Sequence, residues 1–232
     1  MGNNWKTIWN RRSLDPAAPA TLGALLAADG YASPFAGITD EAIWRGFVTR
    51  CGEALGVAPG DTVFEVGCGA GAFLHPFFEG GHRVGGLDYS QGLVDAVRAA
   101  LPGGAFSVGE AADLEAEPRY DIVVACGVFL YFQDEAYALK VLRRMMAKAR
   151  KGVGILDVAD RARQEEAMRY RIETIGKEEY DRNYRDLGHL YLPRDWFAAA
   201  LADQPARVRV EDQAIPGYGN TPYRFNVFIR KD

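Results

Sequence analysis

Val63-Phe64-Glu65-Val66-Gly67-Cys68-Gly69-Ala70-Gly71-Ala72 is the most informative run in the chain. A β-rich stretch, Thr62 to Val66, ends in three glycines at alternate positions. A helix is predicted to follow over Ala70 to Phe78, stopped by Gly80-Gly81. Glycines let such a turn take positive φ and let a ligand touch the backbone. The start of a helix offers free N–H groups. Taken alone the run is ambiguous, because Gly67, Gly69 and Ala72 also satisfy the dinucleotide pattern G-x-G-x-x-[GA].

Working outward, strands and helices alternate. Strands are predicted at Arg83 to Leu87, Ala105 to Val108, Asp121 to Cys126 and Gly152 to Val158. Between them lie a helix capped by Ser90 and a long helix from about Asp134 to Lys151, with Leu139, Leu142, Met146 and Ala149 on one face. Upstream, Thr39 reads as the N-cap of a helix running to Gly56. Alternation of this kind means a doubly wound, Rossmann-like α/β parallel sheet. The end departs from it: a helix over Asp195 to Leu201 precedes strands at Val208 to Ile215 and Tyr223 to Arg230. These should pair as a hairpin, making seven strands with the last antiparallel. The expected organisation is an N-terminal lid over 1–38, an α/β catalytic domain over 39–232, and a charged helical cap over 159–192 inserted after the fifth strand.

Two acidic residues resolve the glycine loop. Glu65 sits inside the strand end, where a carboxylate would repel a pyrophosphate but suit a cationic amino group. Asp88 closes the second strand in Gly85-Gly86-Leu87-Asp88-Tyr89-Ser90, where it can accept hydrogen bonds from both hydroxyls of a ribose. The implied ligand has a ribose and a positive end, and no pyrophosphate.

These residues resemble class I S-adenosylmethionine (SAM)-dependent methyltransferases. Glu65 to Gly71 is similar to their E/D-x-G-x-G-x-G loop, Asp88 to the acid closing their second strand, and Gly109-Glu110-Ala111 to their adenine-contacting G-D/E-A. The resemblance spans roughly Val63 to Val158 and the closing strands. It implies SAM as cofactor, with S-adenosylhomocysteine (SAH) as product. It also implies cofactor contacts at Tyr31, Glu65, Gly67, Cys68, Gly69, Gly71, Asp88, Tyr89, Glu110, Ala111, Cys126 and Gly127. Cys68 and Cys126 read as small residues in tight backbone.

The acceptor side is read by elimination. Ala125-Cys126-Gly127-Val128 stands where nucleic-acid amino methyltransferases carry N/D-P-P-Y/F, and no pair of glutamates lies between Gly127 and Tyr131. The acceptor is therefore expected to be a small metabolite, as in secondary-metabolite biosynthesis, and not a nucleic acid. Trp5 and Trp9, at i and i+4, would share a helix face. With Tyr31, Phe35, Phe129, Tyr131 and Phe132 they could form a box that excludes water and stabilises a sulfonium. Tyr218, Asn220, Arg224 and Asn226 are further substrate-side candidates. His189, with Tyr191 two residues on, is the candidate general base if a proton must be lost. Tyr131 completes the catalytic set.

Three readings follow: N- or O-methyl transfer to a small molecule; intramolecular cyclisation of SAM to azetidine-2-carboxylate with release of methylthioadenosine; and a SAM-binding regulator. The rest of the composition is permissive. In 232 residues, 25% are charged and the net charge is −4, which argues against a duplex-binding surface. Three scattered cysteines give no disulfide framework or metal site. The start lacks the apolar core of a signal peptide, and no run is long enough to span a membrane. A cytoplasmic protein is expected; oligomeric state is not readable.

Overall fold

The computed structural model describes residues 5–14, 19–184 and 187–231. Seven strands form one sheet: β1 (Val63–Val66), β2 (Val84–Asp88), β3 (Ala105–Val108), β4 (Tyr120–Cys126), β5 (Ala149–Ala159), β6 (Ala206–Asp212) and β7 (Arg224–Lys231). Their order is β3-β2-β1-β4-β5-β7-β6. The first five run parallel. β7 inserts between β5 and β6, antiparallel to both. All residues of β1 and β2 are buried, as expected of strands covered on both faces. The order reverses between β1 and β4, and doubly wound sheets open their ligand crevice at such a point.

Nine helices are described: α1 (Trp5–Trp9), α2 (Leu22–Ala28), α3 (Glu41–Leu55), α4 (His75–Glu79), α5 (Gln91–Ala100), α6 (Glu135–Lys148), α7 (Gln164–Ile175), α8 (Lys177–Tyr184) and α9 (Trp196–Ala200). One face of the sheet packs on α2, α3, α4 and α5 through Leu26, Trp44, Phe47, Phe77 and Val97. The other packs on α6 and α9 through Val141, Leu142, Met145 and Phe197.

Several local expectations are corrected. The helix after the glycine loop is not Ala70 to Phe78 but α4 alone, with residues 70–74 in turns. Gly71 sits at φ +95°, outside helical space, and Pro76 fits only the first turn of a helix. Asp40, not Thr39, caps α3, its carboxylate accepting from the Ala42 N–H at 2.8 Å. Ser90 occupies the N-cap position of α5 without a side-chain cap; its hydroxyl donates instead to the Trp9 carbonyl. On α6, Leu139 is only partly covered, and Ala138, Val141, Leu142, Met145 and Met146 are the buried face. The N-terminal 38 residues are also more than a lid, since α2 buries Leu22, Leu25 and Leu26 in the core beside α3. Of the described residues there, α1 is what crosses the crevice. Residues 1–4 and 15–18 of that segment, and 185–186 of the cap, lie outside the described residues.

Candidate functional site

A cavity of about 570 Å³ opens at the carboxyl ends of β1, β2 and β4, bounded by α1 on one side and by the cap on the other. Its first wall is the glycine loop. Gly67, Gly69 and Gly71 all have positive φ (70°, 52° and 95°). A side chain at Gly67 would meet Val128 at 2.6 Å, and one at Gly69 would meet the Asp29 carboxylate at 2.2 Å. Gly71 faces away from the cavity, against Val97, so its glycine is required by packing.

The loop's N–H groups are not free, contrary to the reading of an open helix start. Asp88, at the end of β2, accepts from Gly69 N–H at 3.0 Å and from Ser90 N–H at 2.8 Å. Asp29, just past α2, accepts from Ala70 N–H at 2.6 Å and from Ala72 N–H at 3.0 Å. Glu65 is 3% exposed, and its Oε2 has no hydrogen-bond partner. Three carboxyls thus share one end of the cavity. Loss of water raises Asp29 to about 7, opposed by its two backbone bonds. Burial, then the proximity of Asp29 and Asp88, pushes Glu65 well above the ordinary carboxylate range. Burial also raises Asp88, opposed by its backbone bonds. A cation placed here would relieve all three.

Beyond the carboxyls, Tyr89, Gly109, Glu110 and Ala111 line a side wall. Glu110 is held by Lys6 of α1 and by the Tyr137 hydroxyl, 3.3 Å away. Cys126 and Gly127 lie at the end of β4, where Cys126 Sγ and the Tyr31 hydroxyl share a hydrogen bond of 3.3 Å. Burial raises the Cys126 thiol well above its ordinary value, so it is an unreactive wall.

The opposite end is aromatic and cationic. Tyr131 takes the edges of Trp5 and Trp9, at 4.9 and 5.4 Å between centroids. Trp5 and Trp9 therefore do share a helix face, but they flank one tyrosine instead of forming a box of their own. The Trp5 indole N–H donates to the Gly188 carbonyl at 2.9 Å, tying α1 to the cap. Arg171 of α7 and Arg224 of β7 are 8% and 6% exposed and both reach this end. His189 lies beside them with Nε2 shielded and unpartnered; burial, then the two guanidiniums, pushes it well below its ordinary value. A neutral imidazole between two cations is a poor proton acceptor, which counts against His189 as general base.

Behind this end lies a polar network. Asp157, at the end of β5, holds a left-handed φ of 58°. Its carboxylate accepts from the Tyr218 hydroxyl at 2.6 Å and from Gln213 Nε2 at 3.1 Å, and its N–H donates to Asn226 Oδ1 at 2.9 Å. Asn220 donates to the Phe35 carbonyl at 3.1 Å.

Most of the sequence-named residues meet at this cavity. Tyr31, Phe35, Glu65, Gly67, Cys68, Gly69, Tyr89, Tyr131, Tyr218, Asn220 and Arg224 are among its lining. Four named residues stand back from it. Gly71 packs on α5, Phe129 is in the core under α6 and α9, Tyr191 packs on Leu130 and Ala167, and Asn226 braces Asp157 from behind. Sequence reasoning missed Asp29, Asp157 and Arg171. Only Asp157 had a readable signal, an acid ending a strand.

Residues 64–152 match the family model described as a methyltransferase domain. The sheet order and that match give the chain the seven-stranded, Rossmann-like fold of class I SAM-dependent methyltransferases. Among solved structures the chain is similar to magnesium protoporphyrin IX methyltransferase (ChlM) from Synechocystis PCC 6803 with bound SAH, at 16% identity and TM-score 0.63, over 99% of this chain and 95% of that one. It is also similar to the plantazolicin methyltransferase BpumL in complex with a pentazolic desmethylPZN analogue and SAH, at 13% identity and TM-score 0.67, over 99% and 95%. A third is CalS10, an amino pentose methyltransferase from Micromonospora echinaspora, at 13% identity and TM-score 0.59, over 82% and 92%. At these identities the likeness establishes the fold. No curated protein matches the chain.

Proposed function

We propose that the chain transfers the sulfonium methyl of SAM to a small-molecule metabolite. One observation carries the reading: the cavity is divided, with Asp29, Glu65 and Asp88 at one end and aromatic rings with two arginines at the other. The acidic end suits the ribose and ammonium of SAM. Asp88 would take the ribose hydroxyls, while Asp29 and Glu65 would hold the ammonium. Gly67 and Gly69 would let the cofactor lie against the backbone, and Tyr89, Glu110 and Ala111 would flank the adenine. The sulfonium would then point toward Tyr131, near Trp5 and Trp9.

At about 570 Å³ the cavity is mid-range for a ligand pocket and must serve both cofactor and acceptor, which favours a small acceptor over a macromolecule. With an activated methyl, catalysis needs an in-line nucleophile held close; positioning carries most of the acceleration. His189 serves as a wall and a positioning group. The site of action is proposed to be the cytoplasm, where Cys51, Cys68 and Cys126, all free and buried, would remain reduced.

A second reading, cyclisation of SAM itself, is favoured by Asp29. A buried carboxylate beside the ammonium could take its proton. The neutral nitrogen would then attack the γ carbon, forming the C–N bond as the C–S bond breaks and methylthioadenosine leaves. One experiment tests both: incubate the pure protein with SAM alone, then with candidate acceptors. SAH formed only with an acceptor supports methyl transfer; methylthioadenosine from SAM alone supports cyclisation. Failure of SAM or SAH to raise Tm overturns both readings.

A further inference from the structure

We propose that Arg171 and Arg224 form a carboxylate-binding subsite at the aromatic end of the cavity. This deepens the methyltransferase reading and rests on it for the location of the cofactor. Arg224 is 6% exposed and lines the cavity, yet its Nε and Nη1 have no hydrogen-bond partner. The nearest acid, Asp157, stands 4.0 Å from Nε and is already engaged by Tyr218 and Gln213. Two buried guanidinium N–H groups without hydrogen bonds are costly, and their place on a cavity wall points to a ligand that completes them.

Arg171 supplies the second fork from the opposite wall. Its guanidinium lies over the Phe35 ring at 4.2 Å and the Tyr184 ring at 5.2 Å, which holds its plane while leaving its N–H edge to donate. Among the described residues it forms no ion pair. Both arginines act electrostatically on His189, Tyr131 and Tyr191, so they face one volume.

The charge calls for an anion. The two guanidiniums face this end beside a neutral His189, and Arg12 and Arg182 also line the cavity, so the field there is positive. Guanidinium forks pair with planar carboxylates bidentately, and the phosphate arm of the test separates the two anions. The carboxylate has two possible sources: a separate acid lying against Tyr131 and Phe35, or SAM's own carboxylate, in which case the ammonium on the same carbon would leave Asp29 and Glu65 and lie at this end too.

The test uses the full chain, with and without saturating SAH. Benzoate and phenylacetate are titrated against benzamide and phenylacetamide, with inorganic phosphate as a further arm. SAM is titrated in parallel with methylthioadenosine, which lacks the carboxylate. The variants are Arg171→Gln, Arg224→Gln and Arg224→Lys; Arg171 lies on the cap outside the sheet, and the lysine variant keeps the charge if the glutamine variant fails to fold.

For a separate acid, benzoate or phenylacetate binds the SAH complex at least tenfold tighter than its amide. Both glutamine variants then lose that preference, while SAM affinity holds. For SAM's own carboxylate, the acids compete with SAM, and the glutamine variants weaken SAM at least tenfold but leave methylthioadenosine unchanged. The proposal is overturned if neither acid preference nor SAM affinity responds to either variant, or if phosphate binds more tightly than the acids. Acid preference in a chain that binds neither SAM nor SAH would instead overturn the proposed function and leave the subsite standing.

Discussion

The imidazole of His189 lies flat on the indole of Trp5, with 4.9 Å between ring centroids and 11° between planes. Helix α1 and the cap thus close on each other over the cavity. The Trp5 N–H bond to Gly188 and the Lys6–Glu110 ion pair add two more ties across the same crevice.

Replacing Trp5 with alanine removes the stack and the indole bond, together worth about 2 kcal/mol. Because the core of the sheet is made elsewhere, the variant is expected to unfold cooperatively at a Tm within a few degrees of the parent, with turnover down tenfold or more. Thermal unfolding and steady-state kinetics check this. A collapse of Tm with the sheet lost would mean that α1 is a structural staple and not a lid.

Asp88→Ala removes the acceptor assigned to the ribose hydroxyls and frees two loop N–H groups. The lost bonds involve a charged partner, each worth about 1.5–3 kcal/mol, so SAM affinity is expected to fall roughly ten- to a hundredfold. Isothermal titration reads the loss. Equal affinity in the variant sinks the assignment; NAD is expected to leave Tm unchanged in both proteins.

Asp29 predicts a proton linkage. With its carboxyl at about 7, the free protein carries the proton at pH 6, and a bound ammonium expels it. SAM binding at pH 6 is expected to release a proton, seen as a dependence of binding enthalpy on the buffer's ionisation enthalpy, and affinity is expected to rise from pH 6 to 8. The stability sign is opposite. The folded form holds a proton between 3.8 and about 7 that the unfolded chain has lost, so stability falls as pH rises through that window. Asp29→Asn is expected to flatten both effects; unchanged proton release in that variant would place the linkage elsewhere.

His189 predicts a different limb. Its folded value lies below 6.5, so the unfolded chain binds the extra proton, and its contribution to stability is present above 6.5 and lost as pH falls below it. His189→Gln is expected to reduce that acid loss. It is also expected to cost kcat less than the hundredfold typical of a removed general base, and to leave the pH–rate profile near neutrality unchanged. A hundredfold loss with a vanished neutral limb would restore His189 as the base.

Much of the fold was legible because its signals are local. The run from Val63 to Gly71 carries its turn in three glycines, and the strand ends at Glu65 and Asp88 announce acids by their position alone. The closing hairpin was legible for the same reason, two β-rich runs joined by a glycine-containing loop. The helix over Ala70 to Phe78 was misread at its start: Gly71 takes a φ of +95°, outside helical space, and Pro76 fits only a first turn, so the helix begins at His75.

The sequence by itself determined the sheet, the glycine loop and the kind of cofactor, since each is written in residues within a few positions of one another. Only the tertiary structure decided that Asp29 joins Glu65 and Asp88, and that Arg171 of α7, Arg224 of β7 and His189 line the same cavity. The reason is physical. Desolvation and Coulomb energy depend on every group within several ångströms, whatever its place in the chain, and folding alone brings those groups together.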